Sequence, residues 1–276
     1  MNYRHAYHAG NHTDVFKHAV LVMLLEHLRR KDRPFTVLDT HAGAGTYDLR
    51  SPEAEKTGEA ADGIGRVLDE PLPAAAAYLD LLRRLNPDGL AVYPGSPAII
   101  AAFLRENDRL IACDLHEEEA AKLRRTFRGD PRVAVHHRDG HEAIKAFVPP
   151  PTRRGLVFID PPYEKDDRDA YLRVARRMNA GLKKWPGGMF AAWYPLKDRA
   201  GIEQIRKAYD RSNPPTLAAE FLRTPIDGLT FAGGGLLIAN PPYGIETRLK
   251  ALGRELAAAF AAPKARLDTG WWIAET

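Results

Sequence analysis

Apolar residues gather along this chain in short runs, and most of the runs end on a residue with polar chemistry. Phe35-Thr36-Val37-Leu38 leads to Asp39, Leu110-Ile111-Ala112-Cys113 to Asp114, Val133-Ala134-Val135 through two histidines to Asp139, and Leu156-Val157-Phe158-Ile159 to Asp160. Gly188 to Leu196, a strand-like 217–223 and Gly235 to Asn240 continue the series. Runs this short, rich in Val, Ile, Leu and Phe, read as buried strands. Between them the apolar period changes to that of a helix, as in Val20, Leu21, Met23, Leu24, Leu25 and Leu28. Thr13 or Asn11 can cap this first helix, which places Lys17 and His18 in its early turns. Ser96 is a good N-cap for the helix carrying Ile99, Ile100, Phe103 and Leu104, with Pro97 at its first position. Further helices are expected over 116–128, with acids early and bases late, and over 141–148, 169–184 and 198–210. Strand and helix alternate, so the fold class is α/β: a Rossmann-like sheet with helices on both faces and ligands at the carboxyl ends of its strands.

One interval breaks the rhythm. In a doubly wound sheet an acid follows the first glycine turn by about 20 residues, yet Asp114 lies far beyond Gly43 and Gly45. Ala74 to Leu85 in between is a helix bounded by Pro71, Pro73 and Asn86-Pro87-Asp88-Gly89, and Glu53 to Leu68 supplies one or two more helical turns. Residues 50–93 are therefore expected to form a small helical subdomain inserted into a main domain of residues 1–49 and 94–276. Near the ligand edge it serves as a substrate wall or as surface elaboration.

Composition narrows the setting. The 276 residues, 45% hydrophobic and 28% charged, suffice for one large α/β domain. No apolar run approaches the roughly 18–20 residues of a membrane span, the start lacks a signal-peptide core, and Cys113 is the only cysteine. A cytoplasmic protein without membrane attachment, disulfide or cysteine metal cluster is expected, with no obligate protein partner. The formal net charge of +4 permits a nucleic-acid partner without requiring one. His5, His8 and His12 fall at i, i+3 and i+7, but Gly10 and Asn11 interrupt any helix aligning them, so no metal site is expected. Residues 1–18 read as a polar segment folded over an active site, or as a loosely ordered terminus.

The chemistry concentrates at Asp160-Pro161-Pro162-Tyr163. A carboxylate, with the Pro161 carbonyl, can hold the two hydrogens of an aromatic amine whose lone pair is delocalised, and so favour a nucleophilic tetrahedral nitrogen. The prolines fix φ and keep the carbonyls in place, and Tyr163 offers a face for an extruded base. The tetrapeptide resembles the active-site motif of S-adenosylmethionine-dependent amino-methyltransferases; its bland alternative is a strand-ending turn. Asp39-Thr40-His41-Ala42-Gly43-Ala44-Gly45 resembles the first cofactor motif of class I methyltransferases. The missing G-x-G-x-x-G disfavours a nicotinamide oxidoreductase. A second tetrapeptide, Asn240-Pro241-Pro242-Tyr243, competes for the catalytic role. The first copy is preferred because its strand directly follows the presumed third.

With Tyr3-Arg4-His5, Gly10-Asn11-His12, Lys17-His18 and Tyr93-Pro94-Gly95-Ser96-Pro97 added, nearly the full chain resembles the bacterial family that methylates adenine N6 in large-subunit (23S) ribosomal RNA. The resemblance implies S-adenosylmethionine as cofactor, held by His18, His41, Gly43, Ser96, Asp114, Asp139, Gly140 and Asp160. It implies catalysis at Asp160 with Pro161 and Tyr163, and substrate contacts from Tyr3, His5, Lys17 and Tyr163. Asp114 stands where the family can carry Glu. A DNA adenine-N6 methyltransferase and a non-catalytic RNA-binding module are the alternatives.

Overall fold

Asn11 sets the first boundary in the chain. Its side-chain oxygen accepts the backbone N–H of Thr13 (3.0 Å) and Asp14 (2.9 Å), so it rather than Thr13 caps α1 (His12–Arg29). The computed structural model describes residues 5–163, 169–228 and 230–274; Tyr3, expected to face substrate, lies outside them. Phe16, Val20, Leu21, Leu24 and Leu25 of α1 are at most 1% exposed, each contributing about 1.5–3 kcal/mol by leaving water. The helix is buried nearly all round because α5, α6, α11 and strand β9 pack against it.

After α1 come β1 (Thr36–Asp39) and β2 (Thr46–Asp48), then α2 (Pro52–Thr57), α3 (Glu59–Asp62), α4 (Ile64–Val67) and α5 (Ala76–Leu85). β3 (Val92–Pro94) returns antiparallel beside β2. The chain thus leaves and re-enters at one place, with Leu49 N–H bonded to Ala91 O. There follow α6 (Ser96–Phe103), β4 (Arg109–Asp114), α7 (Glu117–Thr126), β5 (Val133–His137), α8 (Gly140–Phe147), β6 (Gly155–Ile159), α9 (Ala170–Lys184), β7 (Met189–Leu196) and α10 (Arg199–Ala208). The chain closes with β8 (Thr216–Leu222), β9 (Gly233–Ala239), α11 (Ile245–Ala259) and β10 (Arg266–Ile273).

Eight strands form one sheet in the order β10-β8-β9-β7-β6-β1-β4-β5. β5, β4, β1, β6 and β7 are parallel, and β9 runs against both β7 and β8. Alternating side chains feed two apolar layers: Val37, Leu156 and Phe158 face α1, while Leu38, Val157 and Ile159 face α8 and α9. The strand order reverses at β1, between β4 and β6, which opens a crevice at their carboxyl ends.

Two local expectations change. Ser96 is the first residue of α6 and Gly95 its N-cap, because the Ser96 hydroxyl is drawn to another partner, described below. The antiparallel direction of β9 pairs Ala239 with Phe190, so Asn240 leaves at the start of β7, whereas β6 runs with β7 and delivers Asp160 beyond the Ile159–Ala192 pair, toward the carboxyl end. Asn240-Pro241-Pro242-Tyr243 therefore sits on the opposite edge of the sheet from Asp160. There the Asn240 amide donates to the Pro186 and Gly188 carbonyls at 2.7 Å each. α11 and β10 carry little sequence signal: β10 is an edge strand with both faces partly wet, which blurs its alternation.

Candidate active site

Four strand ends and the first turns of α1 surround a cleft of about 1130 Å³, lined among others by Lys17, His18, Gly43, Ser96, Asp114 and Asp160. Gly43 and Gly45, at φ of +60° and +90°, turn the chain at the end of β1. A side chain on Gly43 would stand 2.2 Å from the Tyr47 hydroxyl, so only glycine brings this backbone to the cleft. Across the crevice the Gly43 N–H donates to Asp114 at 2.9 Å, and the His116 N–H donates to its other oxygen at 2.8 Å. Burial nevertheless outweighs these two donors and holds the Asp114 carboxyl above the ordinary value.

Asp39 is fully buried and accepts the Ser96 hydroxyl at 2.7 Å. Burial first, and the charge of Asp160 after it, raise its pKa to about 7. No cation pairs with Asp39 among the described residues. A carboxyl whose folded pKa exceeds its unfolded one makes the fold progressively less stable as pH rises from about 4 to 7. Asp39→Asn is therefore expected to stabilise the free protein by a few kcal/mol at pH 8 and hardly at all at pH 4. Urea unfolding at the two pH values measures this, and an equal effect at both would refute it.

Asp160 ends β6 with its side chain 16% exposed. The Lys17 ammonium stands between it (2.6 Å) and Asp14 (2.8 Å). Burial pulls the Lys17 pKa down, but the two carboxylates outweigh it and hold it above its ordinary value, so Lys17 is charged. Asp14, whose burial alone would raise its pKa, is held well below the usual carboxylate range by Lys17 and His5. It also takes the Gly10 N–H at 2.9 Å and a His5 ring nitrogen at 3.1 Å, which ties the entry segment to α1. His8 and Asn11 both reach Glu59 of α3 (2.8 and 3.0 Å), and Ile64 N–H bonds Gly10 O at 2.8 Å. His5 and His8 thus hold carboxylates at the cleft rim.

The Tyr163 hydroxyl donates to the Trp193 carbonyl at 2.9 Å, and its ring meets the Trp193 ring edge-on at 5.5 Å. Lys17 lies over Trp193 at 5.5 Å, and Phe231, 41% exposed, extends the aromatic wall. Of the residues named from sequence, His5, Lys17, His18, His41, Gly43, Ser96, Asp114, Asp160, Pro161 and Tyr163 meet at the cleft. Asp139 and Gly140 do not line it: Asp139 caps α8 through the His141 and Glu142 N–H groups (2.8 and 3.1 Å). Gly140 lies so close to β1 that a side chain would meet Thr40 O at 2.7 Å and the His41 ring at 2.8 Å. Sequence reasoning passed over Asp14 and Trp193, and placed Asp39 at a strand end without its burial or its Ser96 partner. Asp14 had a signal, its i,i+3 spacing to Lys17; the other two depend on which strands are neighbours.

The sheet order, the glycine turn at its switch point and the acid-Pro-Pro-Tyr corner define a Rossmann-like class I methyltransferase. The model of the family described as ribosomal RNA large subunit methyltransferase D, RlmJ, matches residues 32–273, and the chain belongs to that family. It is 41% identical over 257 residues to the ribosomal RNA large subunit methyltransferase J of Haemophilus influenzae, covering 91% of this chain and 90% of that one. With the Escherichia coli K12 protein of the same name it shares 40% identity over 254 residues, 90% of each chain. The crystal structure of a Legionella pneumophila protein superposes with a TM-score of 0.86 at 32% identity, covering 95% of this chain and 98% of that one. The protein is accordingly an enzyme that methylates ribosomal RNA.

Proposed function

We propose that the enzyme transfers a methyl group from S-adenosylmethionine to N6 of a specific adenine in 23S ribosomal RNA, with the base flipped into the cleft. The observation that carries this reading is the Asp160 carboxylate, anchored through one oxygen by Lys17 at 2.6 Å and placed beside the Tyr163–Trp193 aromatic corner. Its second oxygen has no hydrogen-bond donor among the described residues and can accept the N–H hydrogens of an aromatic amine. The Pro161 carbonyl, held by a fixed φ, is the natural second acceptor. Tyr163, itself hydrogen-bonded to β7, gives a rigid face for the base, as chemistry on an extruded base requires.

The donor set fits S-adenosylmethionine. Two buried carboxyls, Asp39 and Asp114, have no lysine or arginine ion pair among the described residues and suit a ligand carrying sulfonium and ammonium charges. The side-chain-free Gly43 backbone admits close approach. When bound, the cofactor supplies the electrophilic methyl group. His18, His41, Gly43, Ser96 and Asp114 would hold it, with Asp139 and Gly140 acting by shaping the β5 end, and His5 and Lys17 facing the RNA. Residues 50–93 serve as an inserted subdomain whose Glu59 builds part of the cleft wall. Such an enzyme works in the cytoplasm, where its substrate is made.

Flipping is less costly from a loop or a protein-free RNA than from a folded duplex. Protein-free 23S RNA is therefore expected to be a better substrate than assembled large subunits. Mass spectrometry of digested rRNA, before and after incubation with enzyme and cofactor, checks both points. Methyl label found anywhere but on adenine N6 would refute the assignment.

A further inference from the structure

Of the histidines that line the cleft, His18 and His41 each have one ring nitrogen tied to a buried hydroxyl. A hydroxyl has one proton to give, and a buried one keeps that proton in a hydrogen bond. The Tyr78 hydroxyl, from α5, is fully buried, and its only partner among the described residues is the Tyr93 hydroxyl at 3.0 Å. Tyr78 therefore donates to Tyr93. Tyr93, also fully buried, has one other partner among the described residues, His18 Nδ1 at 2.7 Å, and must donate there. His18 Nδ1 is then an acceptor, and the proton of the neutral ring sits on Nε2. At His41 the same count runs the other way. The Thr40 hydroxyl donates to the Phe158 carbonyl at 3.0 Å, so its contact with His41 Nδ1 at 2.8 Å requires Nδ1 to carry the proton. Both rings are neutral, because burial, aided by Lys17 at His18 and by Arg177 at His41, lowers their pKa values.

We infer that buried hydroxyls lock these two histidines in opposite tautomers, His18 presenting an Nε2–H donor and His41 an Nε2 acceptor. Neither Nε2 has a partner among the described residues, so both serve the ligand. His18 takes an oxygen acceptor, a carboxylate or a ribose oxygen; His41 takes a donor, a hydroxyl or an ammonium. Tyr93 and Tyr78 are positioning residues in this scheme, and through them the helices between β2 and β3 set the polarity of the cleft. The ligand part rests on the cofactor site proposed above; the tautomers do not.

Long-range ¹H–¹⁵N correlation spectra of protein labelled at histidine, with His18→Gln and His41→Gln to assign the signals, read the tautomers directly. The expected result is an Nε2–H ring at His18 and an Nδ1–H ring at His41. The reverse at either residue, or a mixture, overturns the inference. Tyr93→Phe should convert His18 to a mixture and weaken S-adenosylhomocysteine binding by calorimetry roughly tenfold, the scale of one hydrogen bond. Thr40→Ser should preserve the His41 tautomer and Thr40→Val should lose it. A Tyr93→Phe protein that keeps the His18 signal and full affinity would overturn the relay. Failure of wild-type protein to bind S-adenosylhomocysteine would instead reject the cofactor site, leaving the tautomer spectra to decide the relay.

Discussion

Asp160→Ala is expected to lower kcat for rRNA methylation by roughly 10²–10³-fold or more, the cost of removing one group aimed at charge that develops in the transition state. The amine nitrogen gains positive character as it attacks, and the Asp160 carboxylate is the acceptor placed to stabilise that change. The fold should survive, because Lys17 keeps its contact with Asp14 at 2.8 Å. Affinity for S-adenosylhomocysteine should change far less than kcat. Transfer of labelled methyl groups to protein-free 23S RNA, with a thermal melt in parallel, separates the effects. A variant with normal stability and kcat within fivefold of wild type would remove Asp160 from the mechanism.

The second large effect is expected from Lys17→Met, and it falls on stability and activity together. The Lys17 side chain is 5% exposed and Asp14 2%, so the methionine would leave a buried carboxylate short of its main partner. Breaking a buried pair in this way costs about 3–5 kcal/mol. Because the Asp14 pKa in the folded protein is depressed, its contribution is present above the unfolded value near 4 and is lost as pH falls through the folded value. The gap between wild type and Lys17→Met should therefore be full at pH 7 and narrow below about pH 4. Activity should fall by roughly 10²-fold, since the reacting carboxylate loses the contact that orients it. Denaturant unfolding at the two pH values and single-turnover methylation test the two halves. A gap that widens on acidification would reject the ion-pair account.

Both effects arise where distant parts of the chain meet, and that marks the boundary of what could be read from sequence. Four of the five parallel strands announced themselves by an apolar run ending in an acid, so Asp39, Asp114, Asp139 and Asp160 were all visible as strand ends, and Gly43 and Gly45 as a turn. The cap at Asn11 and the long break between β1 and β4 were equally local. Strand ends, caps and turns depend on a few adjacent residues, whose propensities act before any tertiary contact exists.

Pairing across the sheet is a different matter. Lys17 meets Asp160 at a separation of 143 residues, Ser96 meets Asp39 at 57, and His18 meets Tyr93 at 75. None of these distances in sequence carries a pattern. Ser96 reads as a helix cap until β1 and α6 are neighbours; then the buried Asp39 carboxyl claims its hydroxyl. Asp139 ends its strand like the other acids, yet caps α8 outside the cleft. Two near-identical tetrapeptides follow β6 and β9, and only the opposite strand directions send one to the cleft and the other to the far edge. The chain by itself thus determined its strand ends, turns and candidate acids. The tertiary structure decided which of those acids meets a cation, which stand buried without one, and which way their hydrogen bonds point, because burial and partner geometry exist only once the sheet order is set.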